Sequence, residues 1–396
     1  MKFNWGLFLV ALTISVVGII AIYSAVYGTE LENLYLRQSA FLLIAIGVMF
    51  IFWRIPIRIH DGLAYIYYII IIAILGITLL QSGEVKRWLG FGIFRIQPSE
   101  FSKLAMVLII GRWIRDNLKN VDSVKTIAVS LLLIVPPFFL VVAEPDLGTG
   151  IVFCVLLFVM LYAGGVRPLH LFLLLTPFLA MLSAVHWIVW VIYMIILVSV
   201  LIKWRIAPVK FIIVLTMAIF IGTSTPYVWS KLHPYQRERI MVFLNPHHDP
   251  FGAGYQLIQS KIAIGSGGVL GKGLLQGTQT KLAFLPAKHS DFVFSVMGEQ
   301  FGFVGVAILL FMFWVLLKKI LDISSSARTP FASVVAMGIA GIIFFQVFIN
   351  IAMTIGLAPI TGIPLPFVSA GGSSLITFWA MIGILQNIHS QAIEPQ

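Results

Sequence analysis

The sequence predicts a polytopic, all-α membrane protein, and three observations support this fold class. Of the 396 residues, 60% are hydrophobic and only 10% are charged, whereas a soluble domain carries about 25% charged residues. The mean hydropathy is +1.03. The apolar residues fall in runs of about twenty, long enough for a helix to cross a hydrocarbon core of about 30 Å. Because a chain in lipid must satisfy its own backbone hydrogen bonds, these runs are predicted to be helices.

Twelve apolar runs are visible, and each is predicted to form one helix. In chain order they lie near residues 5–27, 38–53, 62–80, 99–114, 126–142, 148–164, 169–184, 187–202, 209–229, 292–316, 331–357 and 371–388. The first is too long for the core of a signal peptide and is interpreted as a retained anchor. The pair at 169–202 is interpreted as a helical hairpin. Residues 1–396 are interpreted as a single membrane domain of helices.

The distribution of positive charge orients the predicted bundle. If the N-terminus is cytoplasmic, the cytoplasmic segments carry Lys2, Arg54, Arg58, Arg112, Arg115, Lys119, Lys125, Arg167, Lys203, Arg205, Lys210, Lys318, Lys319 and Arg328. This placement satisfies the positive-inside rule, and the opposite orientation violates it. A single helix at 169–202 would reverse the predicted membrane orientation of every helix and loop that follows it. The long, polar, glycine-rich loop at 230–291 is then expected on the extracytoplasmic side.

Further cations are expected on the outer side, where the positive-inside rule does not explain them. They are Arg37, Lys86, Arg87, Arg95, Lys231, Arg237, Arg239, Lys261, Lys272, Lys281 and Lys288. Contact with anionic lipid head groups explains them, and so does a phosphate-bearing ligand; composition alone does not separate these alternatives.

The glycines around Lys272 do not form a P-loop, because position 266 is Ser and position 273 is Gly. A backbone site for an anion remains open for this segment, and so does a flexible surface loop. The single cysteine, Cys154, excludes an intrachain disulfide and a metal site built from cysteines.

Asp291 is the only carboxylate between Asp249 and Glu299. It follows Lys288 and His289, where the chain is predicted to re-enter the membrane as a helix. The helix dipole and free N–H groups alone explain an acid at a helix start. The same carboxylate, kept ionised by neighbouring cations at the lipid–water boundary, is also suited to act as a general base.

Two further acidic motifs are expected at the same membrane face. The segment 97–103 is Gln-Pro-Ser-Glu-Phe-Ser-Lys, which places Glu100 and Lys103 on one face of a helix. They form either a structural ion pair or a phosphate-binding lysine held by a glutamate. Asp146, in a short outer turn, would face the same cavity as Asp291.

The prolines and glycines of 359–374 interrupt a helix at membrane depth, which is tolerated only inside protein or beside a wet cavity.

Several long motifs together resemble one family. The segment 350–369, Asn-Ile-Ala-Met-Thr-Ile-Gly-Leu-Ala-Pro-Ile-Thr-Gly-Ile-Pro-Leu-Pro-Phe-Val-Ser, resembles the signature of the SEDS family (shape, elongation, division and sporulation). Its Ile-Pro-Leu-Pro-Phe core is similar to the RodA type. Further matches, in the family's order, lie at 97–103, 145–149, 259–268 and 289–292. The resemblance covers almost the whole chain.

The resemblance implies a peptidoglycan glycosyltransferase that polymerises lipid-linked disaccharide-pentapeptide (lipid II) during cell elongation. The reaction is expected outside the bacterial cytoplasmic membrane and releases undecaprenyl pyrophosphate. The implied partners are a class B penicillin-binding protein, undecaprenyl-linked glycan and other elongation-complex proteins, with no nucleic acid. The alternatives are a flippase for the lipid-linked precursor and a non-catalytic scaffold. The apolar inner halves of the helices, apart from Gln346 and Asn350, disfavour a transport path.

Carried onto this chain, the resemblance makes Asp291 the essential catalytic aspartate. We expect it to deprotonate the attacking hydroxyl, with inversion at C1. The expected substrate-binding residues are Lys103, Glu100, Arg87, Asp146, Lys272, Arg237, His289 and Ser369. No cofactor is assigned; a divalent cation, Mg²⁺ or Mn²⁺, is the one candidate, and its ligands are left open.

The chain departs from the family in two places. The family usually has ten helices, so residues 167–208 are interpreted as an inserted helical hairpin. Ala283 and Ala287 stand where the family commonly has glutamates, so any assistance that those acids give to catalysis is missing here.

Overall fold

The computed structural model describes residues 2–81, 87–91, 94–231, 234–245, 253–281 and 289–393. Its helices are α1 (Trp5–Val26), α2 (Leu34–Arg54), α3 (Ile57–Leu79), α4 (Pro98–Asp116), α5 (Val124–Ala143), α6 (Leu147–Ala163), α7 (Pro168–Ser183), α8 (Trp187–Lys203), α9 (Pro208–Lys231), α10 (Pro234–Leu244), α11 (Ala253–Gly267), α12 (Thr278–Lys281), α13 (Val293–Ser326), α14 (Pro330–Ile355) and α15 (Gly372–Ile393). An antiparallel pair of short strands, β1 (Leu89–Phe91) and β2 (Phe94–Ile96), precedes α4, and a 3-10 turn (Leu118–Asn120) follows it.

Each predicted apolar run forms a helix, so the all-α membrane fold is confirmed. Within the described residues, seven helices are long and apolar enough to cross a membrane, while α6, α7 and α8 are apolar but shorter. The hairpin predicted at 169–202 is present as α7 and α8, which are separated at residues 184–186. The chain is a multi-pass membrane protein.

The helices group into two compact units, of which the smaller is Gly165–Met241. Its core is formed by Ala180, Leu197, Leu201 and Ala218. Tyr193 Oη on α8 donates to the Thr176 carbonyl on α7 at 3.0 Å, which joins the two helices of the hairpin. This unit contains the segment 167–208; that the hairpin is an addition to the family's fold stays a prediction.

The larger unit comprises Met1–Gly164 and Val242–Gln396. One end of it is held together by polar side chains of α15. Asn387 Oδ1 accepts a hydrogen bond from Ile57 N at 2.9 Å, and Gln386 Nε2 donates to the Asn4 carbonyl at 2.8 Å. The starts of α1 and α3 are therefore fixed to the end of α15, and the opposite end of this unit carries the site described below.

The helix α13 is kinked at Gly302, which has φ 63° and ψ −163°. This backbone region is accessible essentially only to glycine. The glycine-rich segment 267–273 lies against the kink, where Lys272 N donates to the Glu299 carbonyl at 3.0 Å. The alternative of a flexible surface loop is therefore wrong for residues 267–273, because their backbone forms hydrogen bonds with the interrupted helix.

Replacing Gly302 with Ala is expected to destabilise the protein by about 1–3 kcal/mol, because the residue would keep a strained backbone conformation. Its Cβ would also overlap the amide nitrogen of Gly271. The midpoint of unfolding in detergent measures the effect. Gly265→Ala on α11 is the matched control, since nothing lies within 4 Å of a Cβ at that position. Equal midpoints for the two variants would contradict the assigned role of the kink.

Candidate active site

Asp291 lies two residues before the first residue of α13, at the positive end of that helix. The preceding backbone is held by the segment that follows α14. Ala370 N donates to the His289 carbonyl at 2.9 Å, and Ser369 Oγ donates to the Ser290 carbonyl at 2.7 Å. The predicted position of Asp291 at a helix start is thus observed, and its backbone is anchored.

The segment between α14 and α15 lines the aspartate. It contains no helix, and Gly356 and Gly362 adopt positive φ values of 81° and 70°. A Cβ on Gly362 would lie 3.6 Å from Asp291 Oδ2. On another side, a Cβ on Gly148 at the start of α6 would lie 2.8 Å from Ile363 Cγ1. The interruption expected at 359–374 is therefore observed up to the start of α15 at Gly372, as a packed, non-helical segment between Asp291 and α6.

Glu100 and Lys103 form the predicted pair on α4. The distance from Lys103 Nζ to Glu100 Oε2 is 2.7 Å, and the two side chains are 1% and 4% exposed. The ammonium also lies 5.4 Å from the centre of the Phe378 ring. Because Lys103 is already paired and enclosed, it does not present an open phosphate ligand. Direct substrate binding by this pair stays a prediction.

Asp146 caps α6 and connects it to α4. Its carboxylate accepts hydrogen bonds from Thr149 N at 3.2 Å, Thr149 Oγ1 at 2.9 Å, Ser99 Oγ at 3.1 Å and Gln97 Nε2 at 3.2 Å. Gln97 N in turn donates to Ser373 Oγ at 2.9 Å, at the start of α15. Asp146 thus joins the starts of α6 and α4, and Gln97 connects them to the start of α15; a direct contact of Asp146 with substrate stays a prediction.

Arg87 donates hydrogen bonds to the turn that contains Asp146. Its Nε donates to the Glu144 carbonyl at 2.8 Å, and its Nη2 donates to the Pro145 carbonyl. The side chain of Glu144, in the same turn, is completely buried. Thr78 Oγ1 donates to Glu144 Oε1, whereas Oε2 has no hydrogen-bond partner in the described part of the chain. Burial, reinforced by the charge of Asp146, raises the pKa of Glu144 to about 7.

This raised pKa predicts a pH-dependent stability. Glu144 ionises near pH 4.5 in the unfolded chain and near pH 7 in the folded one, so the folded state binds more protons between these values. Stability should therefore fall as the pH rises from 4.5 to 7. Thermal unfolding of the wild type and Glu144→Gln at pH 5 and pH 8 tests this. We expect the variant to gain stability relative to the wild type at pH 8; the same difference at both pH values would contradict the assignment.

The structure gives three of the predicted substrate-binding residues other contacts. Lys272 Nζ lies 3.0 Å from Oε1 of the buried Glu299, which makes it part of the packing around the α13 kink. Ser369 Oγ donates to one backbone group and accepts from Leu365 N at 2.8 Å. Arg237 lies in the smaller unit, where its Nη2 donates to the Ser230 carbonyl. Substrate binding by these residues, and by the His289 side chain, stays a prediction.

Some residues named from the sequence lie outside the described ranges. They are Lys86, Asp249, Ala283, Ala287 and Lys288. Among the residues that the structure does describe, no group of three or more His, Cys, Asp or Glu side chains could hold a metal ion. The divalent cation therefore stays a prediction without assigned ligands.

Four helix N-termini meet around this site. Gln97 and Ser373 join α4 to α15, and Ser99 and Asp146 join α4 to α6. The segment that packs on Gly148 of α6 also holds the backbone before α13. Each helix N-terminus carries a partial positive charge and free N–H groups. The arrangement is therefore an electropositive site with a carboxylate at its edge, suited to an anionic ligand such as a diphosphate.

Comparison with known proteins identifies the family of this chain. The family profile described as a cell cycle protein of the FtsW/RodA/SpoVE type matches residues 4–394. Peptidoglycan glycosyltransferase MrdB of Escherichia coli K12 is 38% identical over 377 residues, which cover 93% of this chain and 90% of that protein.

Two solved structures share the fold. One, from a study of how a peptidoglycan synthase complex coordinates polymerization and crosslinking, has a TM-score of 0.74, 29% identity and full coverage of both chains. The crystal structure of the Thermus thermophilus rod shape determining protein RodA has a TM-score of 0.64 at 23% identity, covering 100% of this chain and 99% of that one. The resemblance found in the motifs is confirmed: this chain belongs to the FtsW/RodA/SpoVE family, the SEDS family.

Proposed function

We propose that this chain is a peptidoglycan glycosyltransferase that polymerises lipid II. In the reaction a sugar hydroxyl of the incoming unit bonds to C1 of the growing glycan, and the bond from C1 to undecaprenyl pyrophosphate breaks. The observation that carries the proposal is the position of Asp291 where four helix N-termini meet. Membership of a family in which relatives such as MrdB are named peptidoglycan glycosyltransferases supports it.

Asp291 acts as the general base in this mechanism. Its carboxylate takes the proton of the attacking hydroxyl, a role that requires the ionised form within hydrogen-bond reach of that proton. The other carboxylates near the site have structural partners, Glu100 with Lys103 and Asp146 with the helix starts. No second carboxylate is assigned as a nucleophile, so we expect direct displacement with inversion at C1. A trapped covalent glycosyl–enzyme intermediate would contradict this stereochemistry.

The leaving diphosphate gains negative charge as the C1–O bond breaks. Helix N-termini and fixed cations stabilise such charge because they are oriented before the reaction begins. Lys103 and Arg87 supply the cationic side chains, each held by contacts to neighbouring groups. Any Mg²⁺ or Mn²⁺ would bind largely through the phosphates of the substrate, as Mg²⁺ commonly does. No step in the mechanism depends on it.

We place the site on the extracytoplasmic face of the bacterial cytoplasmic membrane. The opposite end of the larger unit carries cations, among them Arg112 and Arg115, which both pair with Asp61 at the start of α3. The positive-inside rule assigns that end to the cytoplasm. Lipid-linked substrate then enters from the outer leaflet. The proposed partner is a class B penicillin-binding protein that cross-links the product, within the complex that elongates the cell.

The proposal is tested with purified protein and fluorescent lipid II in detergent micelles, with the partner and Mg²⁺ supplied. Micelles have no second leaflet, so the formation of glycan strands there requires glycosyl transfer and not transport. A parallel sample in proteoliposomes reports movement of labelled precursor between leaflets. Glycan ladders in micelles are expected. Precursor movement in vesicles without any ladder would support the flippase alternative instead.

A further inference from the structure

The carbonyl group of Asp291 itself is fixed from α14. Asn350 Nδ2 donates to Asp291 O at 3.1 Å and to Ile363 O at 2.8 Å. Together with the bonds to His289 O and Ser290 O, three successive carbonyl groups accept hydrogen bonds from other parts of the chain. The backbone from residue 289 to residue 291 is thus held at every carbonyl group.

The hydrogen bonds of Asn350, rather than the packing of its side chain, explain an asparagine at this position. Its side chain is 0% exposed, and the carboxamide has two N–H donors. The amide nitrogen serves the aspartate's carbonyl and the carbonyl of the segment between α14 and α15. Its Oδ1 has no hydrogen-bond partner among the described residues. Because a buried polar atom without a partner carries a free-energy cost, an apolar residue would suit a purely packing role better.

The residue before Asp291 is held by Ser369, and Ser369 is held by Gln38. Ser369 Oγ donates to Ser290 O and accepts from Leu365 N at 2.8 Å. Gln38, buried on α2, donates to the Ser369 carbonyl at 3.3 Å and accepts from Gly371 N at 3.1 Å. The serine that reaches the aspartate's backbone is therefore itself fixed to a third helix.

We propose that Asn350 and Ser369 are positioning residues for the glycosyl transfer. They fix the backbone of 289–291 from α14 and from the following segment, so that the carboxylate of Asp291 meets the attacking hydroxyl in a constant geometry. This inference rests on the proposed function and extends it. Small displacements of a reacting group lower rates strongly, by about 100-fold for a shift near 1 Å. We expect the effect to fall on kcat, because the Asn350 carboxamide and the Ser369 hydroxyl donate to backbone carbonyl groups of the protein.

The main test is Asn350→Asp, which preserves the shape of the side chain and replaces the donor by an acceptor. We expect kcat for lipid II polymerisation, per folded molecule, to fall by about 100-fold with KM within about threefold of the wild type. Ser369→Ala should lower kcat in the same direction. Ser369→Thr, which restores a hydroxyl, should recover most of the loss, and this pair keeps the test decisive if Asn350→Asp does not fold.

Ser260→Ala is the matched control. Ser260 is also fully buried and donates from its hydroxyl to a backbone carbonyl on α14, that of Thr354, at 2.7 Å, but it does not hold 289–291. We expect its kcat to stay near that of the wild type. A normal kcat in Asn350→Asp and Ser369→Ala, an increase in KM alone, or an equal loss in Ser260→Ala would overturn the inference. If the wild type itself makes no polymer, the proposed function fails and the inference fails with it.

Discussion

Replacing Lys103 with Met should destabilise the protein by about 3–5 kcal/mol, because it leaves the buried carboxylate of Glu100 without its counter-charge. The two side chains are 1% and 4% exposed and 2.7 Å apart. The cost of an unpaired charge is therefore not relieved by water. Reversible unfolding in mixed detergent micelles, with the free energy taken from the unfolding midpoint, measures the loss. A variant as stable as the wild type would contradict the buried ion pair.

The double variant Glu100→Gln/Lys103→Met separates the effect of this ion pair on stability from its effect on glycan synthesis. It removes both charges, so it should regain most of the stability lost in Lys103→Met. If this stabilised double variant still makes no glycan, the charged pair of Glu100 and Lys103 is required for the reaction, as the predicted substrate-binding role expects. If it polymerises at the wild-type rate, the pair serves the fold alone and the substrate-binding role is wrong.

Asp291→Asn should lower kcat for polymerisation by about 10²- to 10⁴-fold, the range that general base catalysis contributes. The substitution keeps the size of the side chain and the backbone carbonyl that Asn350 binds. KM should therefore change little. Initial rates of undecaprenyl pyrophosphate release across a range of lipid II concentrations measure both constants.

The unfolding midpoint of Asp291→Asn is its control. A midpoint equal to that of the wild type attributes the lost rate to the missing carboxylate rather than to misfolding. A fully active variant would place the general base on another residue.

The helices were predictable from the sequence because a chain in lipid must satisfy its own backbone hydrogen bonds, which an apolar run does by forming a helix. The runs expected at 5–27 and 331–357 are the helices Trp5–Val26 and Pro330–Ile355. The segment 230–291 was predicted less well. Its described part contains α10 and α11, and its glycines lie against the kink of α13 at Gly302. A local pattern of glycines does not reveal that their partner is an interrupted helix farther along the chain.

The candidate site was predictable where the chemistry is local. Glu100 and Lys103 are one helical turn apart, so their pairing followed from spacing. Asn350 and Gln38, which also hold the site, were missed as site residues because they act over long sequence distances. Asn350 binds a carbonyl 59 residues away, and Gln38 binds one 331 residues away. Their only sequence signal is a polar residue in an apolar run, which also fits an ordinary structural contact.

The central claim is that this chain polymerises lipid II with Asp291 at its reactive centre. The most direct measurement is gel analysis of glycan ladders made from fluorescent lipid II in detergent by equal amounts of the wild type and Asp291→Asn, each with the class B penicillin-binding protein and Mg²⁺. The account predicts ladders from the wild type and none from the folded variant. Equal ladders from both, or none from a folded wild type, would contradict it.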